Sequence, residues 1–254
     1  MKLRRSFSSQ QLIFALGLSL SLAALTGAHG QDRLVTRTNQ VQQGKIVGVS
    51  NGTVQIQIGA GTIGIPLASV HSVAMEAPAE FATGKAAYEA GDSAKALASI
   101  KTVAEKFRGL PTPWAQEAAG LLGDIYVALN KLPEAEAAYV AFQKAYGGAG
   151  GSIQTDVGLA RIAFSKKEYA KAKEKLEPIT AKALEEKNPA PAAAASYSQA
   201  FFTLGQIQEA EQDYVSALEN YLRTVTLFYH DKVAVAGAKE RADALRKTHQ
   251  VSVP

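Results

Sequence analysis

Gly48-Val49-Ser50-Asn51-Gly52 has the spacing of a nucleophile elbow. There, a serine hydroxyl stands on a sharp strand-to-helix turn and is activated by histidine and aspartate partners. Here the string leads through Asn51-Gly52 into Val54–Ile58, which alternates apolar and polar residues as a half-buried strand does. Asn-Gly suits a two-residue hairpin because both central turn positions prefer positive φ, so the segment reads as a hairpin. Gly59-Ala60-Gly61-Thr62-Ile63-Gly64 matches the glycine pattern that cradles a dinucleotide pyrophosphate. That chemistry needs a helix to begin at the glycines, whereas Thr62–Pro66 reads as extended. Gly147–Gly151 lacks the Lys-Ser/Thr pair of a phosphate loop and reads as a connector. His71, His230 and His249 have no carboxylate or second histidine three or four positions away. Asp231 follows His230 directly, and adjacent residues on a helix do not face one ligand. Cysteine is absent, which excludes disulfides, thiol nucleophiles and cysteine-ligated zinc. The sequence therefore predicts no catalytic constellation, no metal and no cofactor.

The elements that could position anything begin after a leader. Lys2, Arg4 and Arg5 form a basic start, Leu12–Leu25 is apolar, and Ala28 and Gly30 are the small residues a signal peptidase accepts. Residues 1–30 are expected to be a signal peptide, cleaved after Gly30, that sends the protein to the periplasm or outside the cell. Arg4-Arg5-Ser6-Phe7 also resembles part of a twin-arginine export signal. The chain holds 27 basic and 23 acidic residues; three of the basic ones lie in the leader, which leaves 24 against 23. A near-neutral remainder has no general electrostatic drive toward nucleic acid or anionic lipid. No nucleic-acid partner and no membrane span after cleavage are expected.

Residues 31–77 are rich in Val, Ile, Thr, Gln and Gly and carry few charges. With Thr62–Pro66 and Ser69–Met75 as further short strands, about five strands are predicted, forming a small SH3-like or Sm-like β-barrel module that packs on the helical remainder of the chain. From Pro78 the texture is helical, with breaks at Gly91, Gly109–Pro113, Gly147–Gly151 and Asn188–Pro191. A fixed offset links small residues across these segments: Gly84 to Ala96, Gly123 to Ala135, Ala160 to Ala172 and Gly205 to Ala217, each 12 positions. Antiparallel helices approach closely where small residues face each other, and each pair leaves an apolar side for the next pair to cover. Trp114 opens the first helix of the second pair and is expected in the core or at the rim of an interface.

The pattern resembles the tetratricopeptide repeat, whose unit carries a small residue in its first helix and an alanine in its second. The resemblance implies an α-solenoid of about four helical hairpins over residues 78–229, followed by a capping helix and tail over 230–254 with charges on most faces. The unit spacings of 39, 37 and 45 residues, from 84 to 123, 160 and 205, exceed the family's usual 34. Longer units of this kind look like those of periplasmic scaffolds in envelope complexes. The resemblance further implies a non-enzymatic protein whose first helices line a concave groove for a partner peptide or helix. By helical register that groove takes Phe81, Lys85 and Tyr88 from the first unit, and Asp124 and Val127 from the second. Arg161 and Phe164 come from the third, and Phe202, Gln206 and Glu209 from the fourth. The basic clamp that some family members close on a terminal carboxylate is not reproduced, since Lys85 and Arg161 alone are suitably placed. The competing expectation is a protein that binds cell-wall polysaccharide through the β module.

Overall fold

The computed structural model describes residues 31–147 and 149–252, with side chains of 149–152 and 192 left aside. The expected signal peptide lies outside the described residues. The chain is mostly helical, with a five-stranded antiparallel sheet ahead of the helices.

The strands are β1 (Asp32–Thr36), β2 (Val41–Ser50), β3 (Thr53–Ile58), β4 (Gly61–Pro66) and β5 (Val70–Ala74), in the order β4-β3-β2-β1-β5. Ser50 pairs with Thr53 across Asn51 and Gly52, whose φ values of 49° and 72° make the two-residue hairpin. Ser50 thus sits at the end of a strand that turns into another strand. Gly59 and Ala60 close the next hairpin, between paired Ile58 and Gly61. β2 bulges between Ile46 and Gly48, where a Cβ on Gly48 would stand 3.1 Å from the Lys106 carbonyl oxygen. That close approach fixes the sheet against the helices. Leu34, Ile46, Val54 and Ile56 belong to the same buried cluster as Phe81, Ile100 and Trp114, so sheet and first helices share one core. The Trp114 ring packs against Phe107 at 5.1 Å and its indole N–H donates to the Met75 carbonyl at 3.1 Å.

Nine helices come after the sheet among the described residues. The first hairpin is α1 (Ala79–Glu89) and α2 (Ser93–Lys106), and the second is α3 (Pro113–Ala128) and α4 (Leu132–Tyr146). The third is α5 (Ala149–Ser165) and α6 (Tyr169–Glu185), the fourth α7 (Pro191–Ala210) and α8 (Tyr214–Thr226). The last helix is α9 (Lys232–Thr248). Each hairpin packs on itself and on the next, and α1, α3, α5, α7 and α9 also touch in succession. Caps mark where the helices begin: Asp92, Thr112, Asp213 and Asp231 each accept a backbone N–H three residues on. All four hairpin turns end the first helix alike. Gly91, Asn130, Lys167 and Gln212 adopt positive φ, and the N–H of the following residue bonds back five residues, as Asp92 does to Ala87 and Lys131 to Tyr126.

Three expectations need correction. The glycines of the first helices do not chiefly face the alanines 12 positions on; their nearest neighbours are bulky side chains 16 positions on. A Cβ on Gly84 would lie 2.7 Å from Ile100, one on Gly123 2.5 Å from Tyr139, and one on Gly205 2.7 Å from Tyr221. Leu176, 16 residues after Ala160, is likewise buried, and the four alanines lie beside these residues in the core. The connector expected over Gly147–Gly151 ends earlier, since α5 already begins at Ala149. Glycine is tolerated in a first turn, where the N–H groups lack intrahelical partners in any case. The last helix is not charged on most faces: Ala234, Ala238, Ala242 and Leu245 form a buried stripe at helical spacing against α7 and α8.

The ring of Tyr139 also presses on Gly158 of α5, so it is held between two glycines. Overpacking destabilises by about 1–3 kcal/mol, against the ~1 kcal/mol alanine gains over glycine inside a helix. Gly123→Ala is expected to lower the thermal midpoint of the full chain. An unchanged or raised midpoint would show that the Tyr139 ring can move aside.

Candidate functional site

Because the first helices touch in succession, their inward residues converge. Between them lies a cavity of about 200 Å³. Tyr88 of α1, Val127 of α3, Arg161 and Phe164 of α5, and Phe202 and Gln206 of α7 all line it. These are six of the residues that helical register selects. Val127, Arg161, Phe164, Phe202 and Gln206 are partly exposed, so the lining is not sealed in the core.

Asp124 lies below this lining and holds it together. Its carboxylate accepts the Tyr139 hydroxyl at 2.7 Å, the Gln199 side-chain N–H at 3.3 Å and the Arg161 guanidinium. Asp124 is 5% exposed and Arg161 17%, so this is a buried ion pair. Gln199 also donates to Asp231 at 2.7 Å, and Asp231 in turn accepts the Ala234 N–H as the cap of α9. One polar network therefore joins α3, α4, α5, α7 and the start of α9. Among the described residues, each buried side-chain nitrogen and oxygen has a hydrogen-bond partner.

Burial sets the electrostatics. Desolvation pushes the Asp124 carboxyl above the usual carboxylate range, opposed by Arg161 and by the hydrogen bonds from Tyr139 and Gln199. For Arg161, desolvation works against the charge, but Asp124 together with Tyr139, Tyr88 and Asp231 outweighs it and the guanidinium stays protonated. Burial, reinforced by Asp124, raises the Tyr88 and Tyr139 hydroxyls well above the ordinary phenol range. They act as neutral hydrogen-bonding groups, not as acids or bases near neutral pH.

The remaining residues selected for the groove lie elsewhere. Phe81 is buried with its ring 6.4 Å from Trp114. Lys85 pairs with Glu117 at 2.5 Å on the surface. Glu209 accepts from Tyr221 at 2.5 Å and from Arg241 at 3.0 Å. Conversely, the sequence reading missed Gln199, Thr203, Asp231, Val233 and Ala234, which line the same cavity. The last three come from α9 and its cap. Their signal was present: Gly237-Ala238 follows Gly205 by 32 and 33 residues, close to a repeat length, and a Cβ on Gly237 would stand 2.6 Å from the Phe202 ring. Thus α9 acts as a fifth first helix. Its start also reaches α1, where Lys232 pairs with Glu89 at 2.7 Å.

A family model described as a tetratricopeptide repeat matches residues 81–149, the span of the first two hairpins. The hairpin-to-hairpin arrangement continues through α9, so all the helices are in a tetratricopeptide-like arrangement. Proteins of this repeat family are typically non-catalytic and serve as protein–protein interaction scaffolds. No curated protein matches the chain. Among the described residues no helix is long and apolar enough to cross a membrane, and no group of three or more His, Cys, Asp or Glu is placed to hold a metal.

Removing one partner of a buried ion pair strands the other charge, at a cost of about 3–5 kcal/mol. Arg161→Met is expected to destabilise the full chain by that amount in urea unfolding. Adding Asp124→Asn to it should recover part of the loss, because the stranded charge goes too. A loss below about 1 kcal/mol for Arg161→Met would show that the pair does not organise the stack.

Proposed function

We propose that the chain is an exported, non-enzymatic scaffold of the bacterial envelope, which holds a partner peptide against the cavity between its first helices. The observation that carries the reading is the aromatic lining of that cavity, Tyr88, Phe164 and Phe202, in a tetratricopeptide-like stack. Aromatic anchors among polar groups are the usual composition of a recognition surface. Export is supported by the basic start, the apolar stretch and the small residues before Gln31. The lack of cysteine fits a protein whose stability comes from stacked hairpins rather than from disulfides.

A photo-crosslinking residue placed at Gln206, in the lining, is expected to trap a defined protein from envelope-producing cells. The same residue at Val140 or Val215, which are 58% and 54% exposed on second helices, should not. The trapped protein should fractionate with the periplasm, and its scaffold should begin at Gln31 by N-terminal sequencing. Equal adducts at all three positions, or none at Gln206, would overturn the placement of the partner. A chain that keeps residues 1–30 in the cytoplasm would overturn export.

A further inference from the structure

The cavity has a charge preference that its arginine conceals. Two charged side chains line it, Arg161 and Asp231, and Asp124 is buried behind Arg161. Arg161 is committed, since its guanidinium is bound by Asp124 and lies 3.4 Å from the Gln199 side-chain oxygen. An anionic ligand would therefore meet the Asp231 carboxylate and a cation already neutralised. Asp231 differs. Its carboxylate accepts from the Ala234 backbone and from Gln199, and both donors are neutral. A carboxylate offers about four lone-pair positions, so acceptor capacity is left. No ion pair to Asp231 occurs among the described residues: the adjacent Lys232 pairs with Glu89, and Arg161, whose charge Asp231 also favours, is bound by Asp124. The rings of Tyr88, Phe164 and Phe202 line the cavity, an aromatic wall of the kind that attracts a cation and buries its aliphatic stem. At about 200 Å³ the space is below the ~300–1,000 Å³ of a drug-sized site and suits one long side chain.

We propose that this cavity is a subsite for one cationic side chain, a lysine or arginine of the bound partner, with its charge against Asp231 and its stem against Phe164 and Phe202. The proposal rests on the scaffold function for the source of that side chain. It specifies a partner segment with an exposed basic residue and disfavours acidic segments and free terminal carboxylates.

The test titrates the full chain by NMR with the N-acetyl methylamides of lysine, arginine, norleucine and glutamate. The lysine and arginine probes are expected to shift the ring resonances of Tyr88, Phe164 and Phe202 at least about fivefold more tightly than norleucine, the scale of a charge pair worth ~1 kcal/mol. Asp231→Asn keeps an acceptor for the Ala234 cap and removes the charge, so it should abolish the preference. Because its amide N–H2 then faces the Gln199 donor, the melting midpoint is expected to fall, and binding is read on chain that remains folded. High salt, which leaves the sequence untouched, should weaken the lysine probe and spare norleucine. Norleucine binding as tightly as lysine, glutamate binding more tightly, or an Asp231→Asn chain that keeps the preference would each overturn the proposal. If the Gln206 adduct forms undiminished in Asp231→Asn, the scaffold reading stands and the cationic subsite falls. If the probes discriminate by charge and no adduct forms in cells, the subsite stands and the partner reading falls.

Discussion

A carboxylate buried where helices cross must be satisfied from several directions at once, and Asp124 is satisfied from α4, α5 and α7. In low-dielectric surroundings an unpaired charge is worth several kcal/mol of instability, so each donor has to be delivered by its own helix at the right height. That requirement fixes the rotation of α5 through Arg161 and of α7 through Gln199. Apolar packing alone, being non-directional, would let the hairpins slide. The hydrophobic layers give the stack its cohesion, and the network gives it a register. Its last member, Asp231, carries the same register to α9.

Much of the fold was legible because it repeats. The offset of 12 between small residues located all four hairpins, and Asn51-Gly52 located a strand turn. Two further offsets carry more of the physics and were not read. Bulky residues stand 16 positions after the small ones, at Ile100, Tyr139, Leu176 and Tyr221, and left-handed turn residues stand 7 positions after, at Gly91, Asn130, Lys167 and Gln212. Three of those four turn residues are not glycine. Composition therefore hides them, and the shared backbone hydrogen bonds reveal them. Small residues facing small residues are what the offset of 12 predicts, yet a glycine in a helix face serves best as a seat for a ring. The ring supplies the contact area that the glycine gives up.

The candidate site was legible in part for a related reason. Helical register places a residue on a face but does not say which neighbour covers that face. Tyr88, Val127, Arg161, Phe164, Phe202 and Gln206 line the cavity because first helices point inward in every unit. Phe81 is taken by Trp114 and the sheet, and Glu209 by Tyr221 and Arg241, which are contacts between distant parts of the chain. The seven charged residues of α9 predict a helix with charges on most faces. Its Ala234-Ala238-Ala242-Leu245 stripe outweighs them where burial is concerned.

The start of α9 sets what the cavity can hold. An open tetratricopeptide groove accepts a long segment laid along several units, whereas here Asp231, Val233 and Ala234 stand across the lining. The largely solvent-exposed Lys232–Glu89 pair contributes ~1 kcal/mol or less, so it does not by itself hold α9 in place. The anchoring comes from the buried alanine stripe and from Gln199, and loosening either would also disturb the network around Asp124. Displacing α9 to admit a long helix would therefore cost much of the order in the stack. Insertion of a single side chain between Phe164 and Phe202 leaves that order intact. On the proposed scaffold function, recognition through one inserted residue, with the rest of a partner lying over the rim, fits this arrangement better than a long segment laid along several units.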